Sequence, residues 1–370
     1  MSGLHGRTHA VKTWNLTRAY LKNIALANLS GKHTLDTMMA IYYVTSMCNF
    51  RCSYCEHFSA DFNEFVKDKQ VGTAQAKEIL EAIRKDCDVI YFTGGEPLLR
   101  NDIEELALYA RELDFAYIGM NTNGLLLPKR ERVLDALDNV VISLDSMAPS
   151  KLDELYGVGD GTAQKVMDNI AHYSAKANKQ GRKYTVTVNC VVTPETVDDC
   201  EAVMEFCFKH GAEFTVSPQN QGVRPHPGLL GNERYRGFME RLIVEKKAGK
   251  PISGATIYFE SMMDFSPFQC YPTLTARIDP EGNVSFPCRP LEDEGVGIKA
   301  GNLLETRSLR KVMDLGRKQW GEKVECYDRC YMRCHAEMSL LVRNPTQLLA
   351  ETTHYLLRTI GRDRVEASVS

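Results

Sequence analysis

Residues 41–55 read Ile41-Tyr42-Tyr43-Val44-Thr45-Ser46-Met47-Cys48-Asn49-Phe50-Arg51-Cys52-Ser53-Tyr54-Cys55, a β-branched and aromatic run that empties into a loop with three cysteines. Three thiolates can hold three corners of a cubane iron–sulfur cluster and leave its fourth iron without a protein ligand, free to bind and reduce a small molecule. For the cysteines alone two plainer readings stand. A zinc ion would want a fourth Cys or His nearby, and buried structural thiols need no fixed spacing. About forty residues on, a second strand-like run, Val89-Ile90-Tyr91-Phe92-Thr93, enters Gly94-Gly95-Glu96-Pro97.

These two runs open a longer alternation. Six β-rich segments (41–46, 89–93, 117–120, 140–144, 184–192 and 213–216) are separated by helix-length segments at 73–85, capped at Thr73, 102–113, 129–137, 162–179 and 196–209. Strand and helix in turn predict βα units on a parallel sheet. Right-handed crossovers curl such a series into an open barrel, and six units fall short of the eight that close one. Past successive strands come the cysteine loop, Gly94 to Pro97, Asn121-Thr122-Asn123-Gly124, Ser143 and Asp145, Asn189, then Ser217 and Gln219. The carboxyl ends of parallel barrel strands share one mouth, so these groups are expected to ring a single site. Routine capping of strand ends and helix starts is the alternative for Ser143, Asp145, Asn189 and Gln219.

The C-x3-C-x2-C spacing at Cys48, Cys52 and Cys55, with Tyr54 before the last Cys, followed by Gly94-Gly95-Glu96-Pro97, resembles the paired signature of the radical S-adenosylmethionine (radical SAM) enzymes. The resemblance implies an α/β chain: a partial (β/α)6 parallel barrel with a small C-terminal hairpin-plus-helix cluster-binding domain. It implies a [4Fe–4S] cluster on those three cysteines and S-adenosylmethionine (SAM) beside it. The Gly94-Gly95 backbone and Glu96 would meet the amino group of SAM, with Pro97 rigidifying the turn. Ser143 and Asn189 would contact its ribose or carboxylate, Tyr54 would lie near the adenine, and Asn123 and Asp145 complete the expected cofactor-binding set. An electron from the reduced cluster would cleave SAM to a 5′-deoxyadenosyl radical that takes hydrogen from an unactivated C–H bond. No acid or base need then be visible in the sequence, and the electron donor would be a flavodoxin or ferredoxin.

Beyond residue 220 the character changes. Gly222-Val223-Arg224-Pro225-His226-Pro227-Gly228 breaks the pattern, and a helix is expected from 233 to 247. Five more cysteines follow: Cys270, Cys288, Cys326, Cys330 and Cys334. Segments 274–278 and 284–286 flank Asp279-Pro280-Glu281-Gly282-Asn283, a hairpin whose ends bring Cys270 and Cys288 together. This tail resembles the twitch or SPASM extensions of the same family. Their full set has seven ligands and this chain has five, so the resemblance implies one auxiliary [4Fe–4S] cluster, with two as the alternative. Its expected ligands are Cys270, Cys288 and two of Cys326, Cys330 and Cys334, with the fifth Cys or His335 completing a shell or standing free. Zinc on four thiolates stays open. Cys87, Cys190, Cys200 and Cys207 have no such spacing and read as ordinary thiols. The resulting division is an N-terminal amphipathic helix (1–38), the barrel (39–221), a linker and helix (222–268), the auxiliary-cluster domain (269–340) and a C-terminal amphipathic helix and tail (341–370).

Composition bounds the rest. With 370 residues, 44% hydrophobic and 25% charged, the chain reads as globular. A net charge of −3 supplies no field toward nucleic acid. Twelve cysteines with no secretory leader in 1–12 read as metal ligands and reduced thiols, and the expected compartment is the cytoplasm. Both ends carry apolar residues at helical spacing. These are Val11, Trp14, Leu21, Ile24, Ala25 and Leu29 with Lys12, Arg18 and Lys22, then Leu348, Leu349, Leu356 and Ile360 with Arg358, Arg362 and Arg364. Basic amphipathic helices can lie on a membrane and would suit a hydrophobic small-molecule substrate such as an isoprenoid lipid or tetrapyrrole. Packing against the barrel is the preferred reading of both. Peptide maturation and sugar or aminocyclitol oxidation are the competing reactions, and a non-catalytic iron–sulfur electron carrier is the competing class.

Overall fold

The computed structural model describes residues 9–55, 70–179, 184–222, 224–293, 295, 297–321, 330–347, 349 and 351. Six parallel strands lie in sequence order: β1 (Met39–Tyr43), β2 (Val89–Thr93), β3 (Tyr117–Thr122), β4 (Asn139–Ser143), β5 (Thr185–Val192) and β6 (Glu213–Pro218). Each pairs with the next, as right-handed βα crossovers dictate. The sheet does not close: among the described residues the outer edge of β6, away from β5, has only a single bridge from Phe214 to Ile252.

Between the strands run α2 (Thr73–Arg84), α3 (Ile103–Glu112), α4 (Pro149–Leu155), α5 (Thr162–Lys179) and α6 (Cys200–His210), after α1 (His9–Leu29). Alternation along each strand sorts the two faces. Ile90, Phe92, Ile118, Met120, Val140, Ile142 and Val188 are fully buried under Ile79, Leu80, Ile83, Leu106 and Val166 of the helices. The opposite residues, Tyr91, Thr93, Asn121, Ser143, Asn189 and Ser217, face the hollow and are only partly covered.

Three local expectations are corrected. Gly72, not Thr73, is the N-cap of α2; the Thr73 hydroxyl instead donates to Asp102 at 2.6 Å. The segment expected to be a helix at 129–137 is two 3₁₀ turns, Leu127–Lys129 and Glu131–Asp135, held by Arg111 donating to the Ala136 carbonyl. Pro128 starts that path and too few residues follow it for an α-helix to repay nucleation. The helix expected at 196–209 begins as a 3₁₀ turn and becomes α6 only at Cys200.

Past the barrel, β7 (Asn220–Gln221) and β8 (Arg224–Pro225) form a small ribbon over the breaker segment, followed by α7 (Glu233–Lys247) and α8 (Thr256–Asp264). The expected hairpin is β9 (Thr275–Ile278) and β10 (Asn283–Phe286), extended by β11 (Ile298–Asn302). It does not stand apart, because β9 pairs parallel with β1 and the sheet runs unbroken as β11-β10-β9-β1-β2-β3-β4-β5-β6. Short helices α9 (Arg289–Asp293) and α10 (Leu303–Thr306) lead to α11 (Leu309–Trp320) and α12 (Arg333–Arg343).

α1 packs against α12 through Tyr20, Leu26 and Ala27, which join Leu35, Met38, Tyr271, Leu274 and Val342 in a second core. Asn23 and Asp36 exchange hydrogen bonds beneath it. The apolar stripe read from the sequence is offset from that face: Leu21, Ala25 and Leu29 are exposed, Leu29 by 86%. The corresponding C-terminal stripe lies outside the described residues apart from Leu349, which is exposed. No described helix is long and apolar enough to cross a membrane.

Candidate active site

The chain leaves β1 into the cysteine loop, and nearly every neighbouring loop holds it in place. Gly95 N–H donates to the Thr45 carbonyl at 3.0 Å and Glu96 N–H to the Met47 carbonyl at 2.7 Å. The approach is so close that a Cβ on Gly95 would fall 2.1 Å from the Met47 oxygen, and one on Gly94, whose φ is +147°, 2.3 Å from the Thr45 oxygen. Glycine is needed here because no side chain fits between two backbones. Arg51 and Ser53 N–H donate to the carbonyls of Tyr156 and Leu155 at the end of α4, and Phe50 stacks on Tyr156.

Glu96 is buried, and its carboxylate accepts from Leu98 N–H, the Thr122 hydroxyl at 2.7 Å and Asn123 N–H at 2.7 Å. Burial raises its pKa to about 6 against those donors. Through these bonds Glu96 ties the ends of β2 and β3. Pro97 opens the 3₁₀ turn Pro97–Leu99, where its missing N–H costs nothing. Asn123 donates to Asn49 of the cysteine loop at 2.8 Å.

Tyr54 donates to Asp145 at 2.5 Å, and Asp145 also accepts from Val191 N–H at 2.7 Å. Asp145 is fully buried and its pKa is pushed up to about 6 by that burial, the hydrogen bonds opposing. Ser143 and Asn189 are register partners on β4 and β5, and Ser217 of β6 donates to Asn189 at 2.9 Å, so a polar row crosses three strands. The Gln219 and Asn220 side-chain oxygens are buried beside it with no hydrogen-bond partner. Acceptors in that state call for a donor-bearing guest, and the amino and hydroxyl groups of SAM are of that kind.

Cys48, Cys52 and Cys55 are all partly buried in this one loop. Burial drives the Cys48 thiol up to about 11, and Cys52 higher still, with neighbouring Cys55 adding to both. Without a metal these thiols stay protonated; a bound iron–sulfur cluster would displace their protons and hold them as thiolates. Among the described residues no three His, Cys, Asp or Glu side chains converge on a single metal ion; a cubane spreads its thiolates wider than one ion does.

Cys270, Cys288 and Cys334 lie at the other end of the strands. Cys270 precedes β9, and β10 runs antiparallel from Val284, opposite Ile278, so Cys288 falls level with the strand starts. Cys270, Cys288 and Cys330 are buried, Cys334 partly so. The Ser339 hydroxyl is 3.9 Å from Cys270 Sγ, and Arg277 Nη2 is 3.9 Å from Cys334 Sγ. Cys326 lies outside the described residues. Of the remaining thiols, Cys190 and Cys200 are buried and touch at 3.6 Å.

Several residues here had no sequence signal strong enough to single them out. Arg100, buried, donates to the Val44 carbonyl and braces the exit of β1. Arg277 donates to the Tyr43 hydroxyl, and Arg289 lies over the Tyr43 ring, 4.8 Å from its centroid. Arg333 reaches from α12 to Thr215, the Ser253 carbonyl and Glu337, closing the gap beside β6. Lone arginines carry no spacing, so only their three-dimensional neighbours identify them.

The comparisons with known proteins agree with this geometry. Residues 42–207 match the model of the Radical SAM superfamily. A probable GTP 3',8-cyclase of Methanosarcina acetivorans is 32% identical over 274 residues, covering 69% of this chain and 78% of that protein. A probable GTP 3',8-cyclase of Methanococcus aeolicus is 33% identical over 271 residues, covering 69% and 86%. Among solved structures, SuiB of Streptococcus suis bound to S-adenosylmethionine superposes with a TM-score of 0.59 at 17% identity, covering 83% of this chain and 71% of that one. The anSMEcpe protein with bound AdoMet does so at 0.55 and 16%, covering 87% and 95%. These two share the fold. The chain is an enzyme and belongs to the radical SAM superfamily, with the [4Fe–4S] cluster and S-adenosylmethionine that the family uses.

Proposed function

We propose that this enzyme binds its SAM-cleaving cluster at Cys48, Cys52 and Cys55 and an auxiliary cluster at the Cys270, Cys288 and Cys330–Cys334 end. It functionalises a C–H bond of a small molecule held in the hollow between them. SAM sits by this reading against the Gly94-Gly95 backbone and the row Ser143, Asn189 and Ser217, with Gln219 and Asn220 accepting from its donors. When reduced, the first cluster supplies the electron that cleaves SAM to a 5′-deoxyadenosyl radical. The protein's own groups orient the substrate and keep water out.

The observation that carries the substrate class is the Arg277–Tyr43–Arg289 group. Arg277 and Tyr43 stand on the strand face that lines the hollow, and Arg277 is only 7% exposed. Two guanidiniums around one phenol favour a substrate with an anionic group. Relatives named GTP 3',8-cyclase act on one such molecule. The test is anaerobic turnover with SAM, dithionite and a panel of nucleotides and phosphorylated metabolites. A substrate should raise 5′-deoxyadenosine release, and Arg277→Met should raise its KM at least tenfold. Equal stimulation by neutral compounds would sink the anionic assignment, and no release from protein with an intact cluster would point to an electron carrier.

One observation favours a second reading, a hydrophobic or amphiphilic substrate drawn from a membrane surface. The exposed face Leu21, Ala25 and Leu29 of α1 lies beside Arg18 and Lys22, as on helices that rest on lipid. Flotation with anionic vesicles separates the two readings.

A further inference from the structure

His335 stands in the first turn of α12, one residue after Cys334. It is 1% exposed; the Pro272 carbonyl lies beside the ring, and neither ring nitrogen makes a hydrogen bond of good geometry. A buried imidazole in that state forfeits about 1–3 kcal/mol for each polar group left bare, and an apolar ring would fill the same space without that loss. The surroundings explain its retention. One helical turn on, Ser339 accepts from Tyr271 N–H at 2.9 Å and lies 3.9 Å from Cys270 Sγ, so this side of α12 meets the Cys270–Pro272 segment. On its other side, Cys334 contacts Arg277 and its carbonyl accepts from Thr275. His335 thus sits on α12 between Cys334, its neighbour in sequence, and Ser339, the residue that reaches Cys270.

We propose that His335 is a ligand of the auxiliary iron–sulfur centre, alongside thiolates from Cys270, Cys288 and the Cys330–Cys334 segment. This rests on the auxiliary-cluster reading above. One ring nitrogen binds iron, and the other donates its proton to a backbone carbonyl, as ligating histidines commonly do; the Pro272 carbonyl lies beside the ring. A neutral imidazole in place of a thiolate removes one negative charge from the cluster and raises its reduction potential.

The test uses the full chain with Cys48, Cys52 and Cys55 all changed to Ala, so that only the auxiliary centre remains. About four irons per chain should be retained, the cubane stoichiometry. The dithionite-reduced cluster should show a strongly coupled nitrogen by pulsed electron paramagnetic resonance, converted to the ¹⁵N pattern by [¹⁵N]histidine labelling and lost in His335→Ala. Should His335→Ala not fold, His335→Cys should keep the iron, lose the nitrogen signal and shift the potential downward. Four irons with no histidine nitrogen, or a nitrogen that survives either variant, overturns the ligand assignment alone. An iron-free chain removes the auxiliary cluster itself, and the ligand assignment with it.

Discussion

The phenol of Tyr54, between Cys52 and Cys55, donates to Oδ2 of Asp145 at 2.5 Å while Oδ1 of the same carboxylate accepts from Val191 N–H at 2.7 Å. One buried acid therefore holds the cysteine loop to the ends of β4 and β5. The aromatic residue of the cysteine motif is fixed by a strand-end carboxylate ninety-one positions away.

Tyr54→Phe should keep the fold and loosen the loop. It leaves one Asp145 oxygen unpaired in a buried site, at about 1–3 kcal/mol. The expected outcome is faster loss of iron from the first cluster on dilution with a chelator, with the auxiliary iron unaffected. Equal retention by variant and parent would show that the anchor does not hold the loop.

Gly95→Ala should act harder and on the same cluster. The added Cβ meets the Met47 carbonyl 2.1 Å away, backbone against backbone, so the loop itself must move. Iron analysis after anaerobic reconstitution should give about four irons fewer per chain than the parent, the content of one cubane. Gly159→Ala, with no atom within 4 Å of its Cβ, is the control and should lose none.

The Glu96 carboxyl predicts a pH dependence. Its folded pKa is raised from 4.5 to about 6 by burial, so the folded state holds this proton more tightly than the unfolded one. Stability from this group is present below about pH 4.5 and declines as pH rises through 6, a change of about 2 kcal/mol. Glu96→Gln lacks that slope. Denaturant midpoints at pH 4.5 and 7 should show the variant gaining about 2 kcal/mol on the parent across the interval, and parallel curves would refute it.

The docking of α1 separates two faces of one helix. Ala27→Glu places a charge at a 3% exposed position in the second core and should destabilise by more than about 2 kcal/mol. Leu29→Glu, at 86% exposure, should fall within about 0.5 kcal/mol of the parent. Thermal unfolding of both variants decides it; a large loss in Leu29→Glu would mean that the outer face is covered in solution.

Strand positions and the cysteine loop after β1 were legible from residues 41–55 and 89–97, and the β9–β10 hairpin from 274–286, because hydrophobic alternation and turn residues are local properties of a chain. The placement of Thr73, the 3₁₀ turns near Pro128 and the inward face of α1 were not, since each is decided by a partner distant in sequence: Asp102, Arg111 and the α12 core. The Thr122 and Asn123 donors to the Glu96 carboxylate are likewise set by the fold and not by local sequence.

By itself, the order of residues determined that a cysteine loop follows the first of six βα units, because thiol spacing and β-branched runs exert their effect within a few peptide bonds. Only the tertiary structure decided that Cys270, Cys288 and Cys334 stand at the opposite end of the strands from the cysteine loop. It also decided that Arg277 and Tyr43 meet on the face of the hollow and that His335 is buried with no hydrogen bond of good geometry. Those relations arise when β9 adds itself to β1 and α12 docks against the result, and sheet pairing and packing act across hundreds of residues.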